Sequence, residues 1–234
     1  MSRPSLVRTR ADLLAYVPVA VTTTAAAVAG RDRTHLVSKL ALAPTLAAGV
    51  AATRSARTRG RTTTLLVALT GSLVGDWFMY RSGRTEGVAS RQHMRLGASA
   101  FAVQQLGLIR ALLRDGARPR PVPTAGSVCV MAVLAALDSD GGLPDPVLGG
   151  YGVLLGSMSA LAMGEGGSPR ARRGVALGGA LFLLSDAAII VGQQYATTPV
   201  RRAVADAVVL STYTTALALL VHGLRDDPRQ GVAT

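Results

Sequence analysis

Residues 62–80 read "TTTLLVALTGSLVGDWFMY", a stretch long enough to cross a bilayer and free of charge except for one carboxylate, Asp76. A hydrocarbon core of about 30 Å takes roughly 20 residues of helix. A charged side chain at its centre costs about 2.5–3.5 kcal/mol on insertion scales. The stretch therefore reads as a membrane span whose Asp76 faces a protein interior and a partner. That reading requires further spans to pack against.

The remainder of the chain supplies them. Apolar runs of similar length recur at 13–30, 36–53, 94–113, 121–137, 146–163, 174–192 and 205–224. With 63–80 they predict an all-α fold, a polytopic membrane bundle of eight transmembrane helices. The composition agrees, since 49% of the 234 residues are hydrophobic and only 16% charged, too few polar side chains to clothe a water-soluble domain. The connectors "RSARTRGR", "RDGARPRP", "DSDGGLPDP" and "GEGGSPRARR" are short. None can hold a second domain, so residues 1–234 are expected to form a single transmembrane domain.

A net charge of +12 and an isoelectric point near 11.3 raise the question of nucleic acid. Aromatic residues make up only 4%, and the arginines lie in short runs between apolar segments instead of on one face, so no nucleic-acid partner is expected. Their distribution instead orients the bundle. With the N-terminus inside, the inner segments carry 16 arginines and the outer loops 8, which predicts a multi-pass protein of the cell membrane with both termini cytoplasmic. The loop at 81–95, with four arginines, runs against the bias. Arg3, Arg8 and Arg10 ahead of an apolar stretch ending in "AAAVAG" also satisfy a signal-peptide pattern. That stretch is long for a signal peptide and runs straight into further spans, which favours its retention as the first helix.

Small residues four apart, Gly71 and Gly75, Gly152 and Gly156, Gly174 and Gly178, let helix backbones approach closely in lipid. Trp77 and Tyr80 stand where interfacial anchors stand. The single cysteine, Cys129, lies in an apolar run and reads as packing. His35, His93 and His222 sit at span ends without metal-ligand spacing, and nucleophile elbow, Walker loop and CxxC patterns are absent from the sequence. No metal or cofactor is expected.

Only three Asp, Glu, Lys or Arg residues fall well inside the spans: Lys39, Asp76 and Asp186. At 1.5 Å per residue, Lys39 lies ~5 Å, Asp76 ~6 Å, Asp186 ~9 Å, Tyr213 ~12 Å and Gln105 ~16 Å from the same membrane face. Five helices thus direct polar groups to one half of the bilayer, whichever way the bundle is oriented. A buried salt bridge that fixes helix register is one reading. One lysine cannot neutralise two aspartates, however, so one carboxyl is expected to keep its proton, and two acids in unlike environments are the material of acid–base catalysis. A proton-relaying transporter is a third reading.

The ordered set "SKLALAP" with Lys39 and Pro44, "GD" at Gly75–Asp76, "GALFLLSDAAI" around Asp186 and "TYTTALALL" with Thr212 and Tyr213 resembles the lysoplasmalogenase (YhhN) family of membrane proteins, over about residues 13–222. Leu40 departs from the usual proline after the lysine, and Gln105 and Leu108 stand where a His and a Tyr are common. The resemblance implies a hydrolase that cleaves the vinyl ether bond of a lysophospholipid, releasing a fatty aldehyde and a glycerophosphoethanolamine or glycerophosphocholine. On that reading Asp76 and Asp186 are the catalytic acids, and Lys39, Tyr213, Thr212 and Gln105 support the substrate or the water. Outer-loop arginines such as Arg81 or Arg84 would meet the phosphate. A protein that keeps this fold without hydrolysis, as a lipid-binding or structural component, stays open beside it.

Overall fold

A computed structural model describes residues 11–139, 142–143, 145–166 and 169–225. Among these residues the chain is all helical: α1 (Ala11–Val28), α2 (Asp32–Ala52), α3 (Arg59–Ser82), α4 (Gly87–Arg114), α5 (Pro121–Ser139), α6 (Pro146–Ala162), α7 (Pro169–Tyr195) and α8 (Pro199–Arg225), with one 3-10 turn at Arg54–Ala56 between α2 and α3. The eight predicted runs correspond one to one with these helices. Several helices outrun them, α3 beginning at Arg59 and α4 at Gly87. Hydropathy marks only the part of a helix that meets hydrocarbon, whereas backbone pairing continues until a cap or breaker ends it. The Thr58 hydroxyl accepts from Arg61 N at the start of α3, and Asp145 caps α6 ahead of Pro146.

Five helical stretches, Asp32–Ala52, Gly87–Arg114, Pro121–Ser139, Ala171–Tyr195 and Pro199–Arg225, are long and apolar enough to span a bilayer, and Asp12–Val28 and Pro146–Ala162 are apolar but shorter. The 24 residues of α3 fall outside both groups, because its threonines, its glycines and Asp76 dilute its hydropathy. The opening stretch is thus one of the least hydrophobic segments of a helical membrane bundle. It survives there by burying its polar side, with Ser72, Gly75 and Asp76 all turned inward.

The helices pack around a core that includes Leu42, Leu46, Leu65, Leu108, Met158 and Leu217. The most extensive pairings are α3 with α4 and α7 with α8, and the first helix of each pair carries an aspartate of the spans, Asp76 on α3 and Asp186 on α7. Glycine makes the first pairing close. A Cβ on Gly71 would stand 2.7 Å from the Ala100 carbonyl oxygen, and one on Gly75 2.7 Å from the Phe101 ring. In the other glycine pairs the effect is uneven: Gly178 admits Leu220 at 2.9 Å, while Gly174 has only ordinary contact with Leu219 at 3.8 Å.

The helix least held by the bundle is α5, in which only Ser127 and Leu134 are buried and which packs against α6 and α7 alone among its substantial neighbours. Cys129 lies on its exposed side, so the thiol faces outward and the expectation of a packing role is corrected.

Candidate functional site

Between α5 and the rest of the bundle lies a cavity of about 500 Å³. Its lining includes Lys39, Asp76, Tyr151, Asp186 and Tyr213, contributed by five different helices. The convergence inferred from depth along the spans is therefore present for four of its five members. Asp76 is 1% exposed, and each of its oxygens has a partner. Oδ1 lies 3.6 Å from Lys39 Nζ, and Oδ2 accepts the Tyr213 hydroxyl at 2.8 Å. The Tyr213 oxygen is 2.6 Å from Ser72 Oγ, one helical turn before Asp76 on the same face of α3. Phe101 and Phe182 set their rings edge-on to Tyr213, at 82° and 86°, and leave its hydroxyl one direction in which to point.

Asp186 differs. Its Oδ2 accepts the Tyr151 hydroxyl at 2.5 Å, and no cation pairs with it among the described residues. The cavity thus holds two Tyr–Asp pairs with unlike charge environments, one beside an ammonium and one without. An ionised carboxylate is stable beside Lys39, whereas a carboxyl bonded only to a neutral phenol in an apolar wall is better accommodated as the acid.

The remaining expectations fare differently. Thr212 does not line the cavity; its hydroxyl turns back to the Val208 and Val209 carbonyls of its own helix. Adjacent residues of a helix point about 100° apart, so with Tyr213 inward Thr212 cannot also reach the site. Gln105 is fully buried near Tyr151 and stands outside the lining, so any contribution it makes passes through its neighbours. Arg81 and Arg84 do not line the cavity either. Arg81 lies over the Trp77 ring at 6.0 Å, and Arg84 stacks on Tyr80 at 3.7 Å and pairs with Asp32. The rings that the sequence marked as interfacial anchors have claimed those guanidinium groups.

Two residues were missed. Tyr151 sits within "LGGYGVLLG", where a tyrosine among apolar neighbours carries no outward mark of function. Ser72 could have been found from its spacing of four to Asp76.

Along its length the cavity changes character. On α6 its lining runs from Asp145 and Leu148 past Tyr151 to Gly156, Ser157 and Ala160, and on α5 from Asp138 to Thr124, a distance of ~21 Å at helical rise. One end carries Asp138 and Asp145, the middle carries Asp76 and Asp186, and the far end is largely apolar. Val128 and Val153 belong to the lining although they are 63% and 69% exposed. The cavity therefore opens sideways, between helices, at the level of the membrane.

The family model described as "YhhN family" matches residues 34–224 of the chain, from α2 through almost all of α8. No curated protein matches the chain, and no solved structure does.

Proposed function

The chain belongs to the YhhN family, and from that membership and the layout of the cavity we propose that it is a membrane-embedded hydrolase of lysoplasmalogen type. Its substrate is a single-chain lipid whose vinyl ether bond it cleaves to a fatty aldehyde and a glycerophospho alcohol. The observation that carries the reading is the order of groups in one cavity: charged end, paired acids, apolar end. A lysolipid has the same order, with its scissile ether between head group and chain.

The chemistry follows from the two acid environments. A vinyl ether resists base and yields to acid. Protonation of its β-carbon forms the C–H bond and leaves an oxocarbenium ion, water adds to the α-carbon, and the hemiacetal collapses to aldehyde and alcohol. Asp186, as the acid, delivers the proton. Asp76, held as a carboxylate by Lys39 and oriented by Tyr213, stabilises the cation and accepts a proton from the entering water. The logic parallels glycoside cleavage, where two carboxyl groups flank an oxocarbenium-like transition state. As the hemiacetal breaks, its hydroxyl proton passes to Asp186, the departing glycerol oxygen takes the proton from Asp76, and the pair returns to its starting state.

The start of α1 and the end of α8 meet through Asp12 and Arg225, which supports placing both termini on one side. The arginine bias supports a cytoplasmic location for that side, in a protein of the cell membrane.

Purified protein offered 1-alkenyl, 1-alkyl and 1-acyl lysolipids in parallel should release aldehyde from the alkenyl lipid alone, as read by mass spectrometry. Release of fatty acid from the acyl lipid, or no turnover of any of the three, would sink the reading.

A further inference from the structure

At the charged end of the cavity, four side chains form a set that the acid chemistry does not use. Arg91 and Arg95 project from successive turns of α4. Arg91 clamps both oxygens of Asp138 on α5, with Nη1 at 3.1 Å and Nη2 at 3.0 Å. Arg95 gives its Nε to Asp145 Oδ2 at 2.6 Å, and Arg91 Nε stands 3.6 Å from the same oxygen. Asp138 and Asp145 line the cavity, and Arg91 and Arg95 stand outside that lining and meet it through these two acids.

The two acids are held differently. Asp145 is fully committed, since its other oxygen caps α6 through Val147 N at 3.0 Å and Leu148 N at 3.3 Å. Asp138 has the clamp of Arg91 as its only side-chain partner among the described residues. The arginines have capacity to spare: their side chains are 40% and 51% exposed, and neither Nη of Arg95 makes a hydrogen bond among the described residues. Two guanidinium groups and two carboxylates sum to no net charge, set out as separated positive and negative ends.

Resting on the reading that the cavity takes a single-chain lipid, we propose that Arg91, Arg95 and Asp138 are the head-group site and determine head-group specificity. Arg95 and Arg91 take the phosphate and Asp138 takes the ammonium of a zwitterionic head, while Asp145 serves only to position Arg95. Binding exchanges partners without creating an unpaired charge: phosphate replaces Asp138 on Arg91, and the ammonium replaces Arg91 on Asp138. An anionic head such as phosphoglycerol supplies the first half of the exchange and leaves Asp138 without a cation. Distance agrees as well. Asp145 and Tyr151 are separated by ~9 Å of helix rise, a gap that the run from the vinyl carbons through the glycerol to the phosphate spans when the double bond lies at the acids and the phosphate at the arginines.

The test is binding rather than turnover. Saturated 1-alkyl lysolipids, which lack the cleavable bond, are titrated into the full-length protein in nanodiscs, bearing phosphoethanolamine, phosphoglycerol or no head group (monoalkylglycerol). Wild type should prefer the zwitterion over both. Arg95→Gln and Arg91→Gln should each lower the ratio of phospholipid to monoalkylglycerol affinity about tenfold, a change of about 1.4 kcal/mol. Asp138→Asn should cut the preference for phosphoethanolamine over phosphoglycerol by about fivefold. Arg84→Gln, on the same face but paired with Asp32 and stacked on Tyr80 instead of holding a cavity-lining acid, should change neither ratio.

Because each result is a ratio within one preparation, a loss of stability alone does not imitate it. Unchanged ratios in both arginine variants, an unchanged preference in Asp138→Asn, or soluble phosphoethanolamine binding as tightly as the lipid would each overturn the proposal. Preserved binding selectivity without any vinyl ether cleavage would leave the head-group site standing and remove the hydrolase.

Discussion

The two ends of the bundle are both rich in arginine and use it in opposite ways. At the end where α1 begins and α8 finishes, Arg57, Arg61 and Arg225 are each only 6% exposed. Arg61 grips both carboxylate oxygens of Asp115, with Nη2 to Oδ2 at 2.7 Å, and donates Nε to the Leu224 carbonyl at 2.8 Å. Arg57 reaches the carbonyls of Val50 and Arg225, and Arg225 binds Asp12 at 2.6 Å. These guanidinium groups satisfy carbonyls that helix ends leave open, and the neighbouring loops are tied by the reciprocal backbone pair Arg118–Glu165. At the other end Arg91 and Arg95 are half-exposed, hold acids at a cavity mouth, and keep donors unused. The difference teaches that burial decides whether an arginine fastens the fold or keeps hydrogen-bonding capacity open at the surface.

The largest effect that separates the two regions belongs to the acids beyond the open end. On the proposed mechanism Asp186→Asn removes the proton donor, and Asp76→Asn removes the charge beside Lys39. Each should lower the rate of vinyl ether hydrolysis by on the order of 10²–10⁴, while the elution volume in detergent stays near wild type and the thermal midpoint falls more for Asp76→Asn, which leaves Lys39 without its carboxylate. Full activity in both variants would show that neither carboxyl is used.

Next in size is a fault at the closed end. Arg61→Met leaves Asp115 buried without its clamp and the Leu224 carbonyl without its donor, a loss of about 3–5 kcal/mol. Fluorescence of the single tryptophan, Trp77, provides the unfolding readout. Arg91→Met, at the mouth, should cost less than about 1 kcal/mol because that pair is half-solvated. Equal losses in the two variants would erase the contrast between the ends.

How much of this was legible beforehand depends on contrast within the sequence. Lys39, Asp76 and Asp186 stood out because charge is rare in apolar runs, and their shared depth followed from helical rise alone. Tyr213 was found with them, but its neighbour Thr212 was not separable from it until the rotation of α8 was known. Tyr151 was hidden because a phenol in an apolar helix is as compatible with packing as with chemistry. Arg81 and Arg84 were expected to meet the phosphate because they lie in an outer loop, but neither lines the cavity, and stacking on Trp77 and Tyr80 occupies them. The fold was more legible than the site, since spans depend on composition and a site depends on which way each helix faces.

The smallest effect tests the fixed acid of the open end against its exchangeable one. Burial alone would raise the pKa of Asp145, but hydrogen bonds from Arg95 and from Leu148 and Val147 N–H outweigh it and hold the carboxyl below its ordinary value. A depressed folded-state pKa means that the carboxylate contributes stability above the unfolded value near 3.9, and that this contribution fades as pH falls through the lower folded value. Wild type should therefore lose its margin over Asp145→Asn as the pH is taken from about 5 downward. At neutral pH that margin should be up to about 1 kcal/mol, the worth of half-solvated pairs with Arg95 and Arg91, since asparagine caps α6 as well as aspartate does. Asp138→Asn should show a smaller margin at neutral pH, because its carboxylate meets one arginine and that partner is half-exposed. If the two variants show the same acid profile and the same margin, Asp145 is held no more firmly than Asp138, and the division between a positioning acid and a ligand-exchanging acid fails.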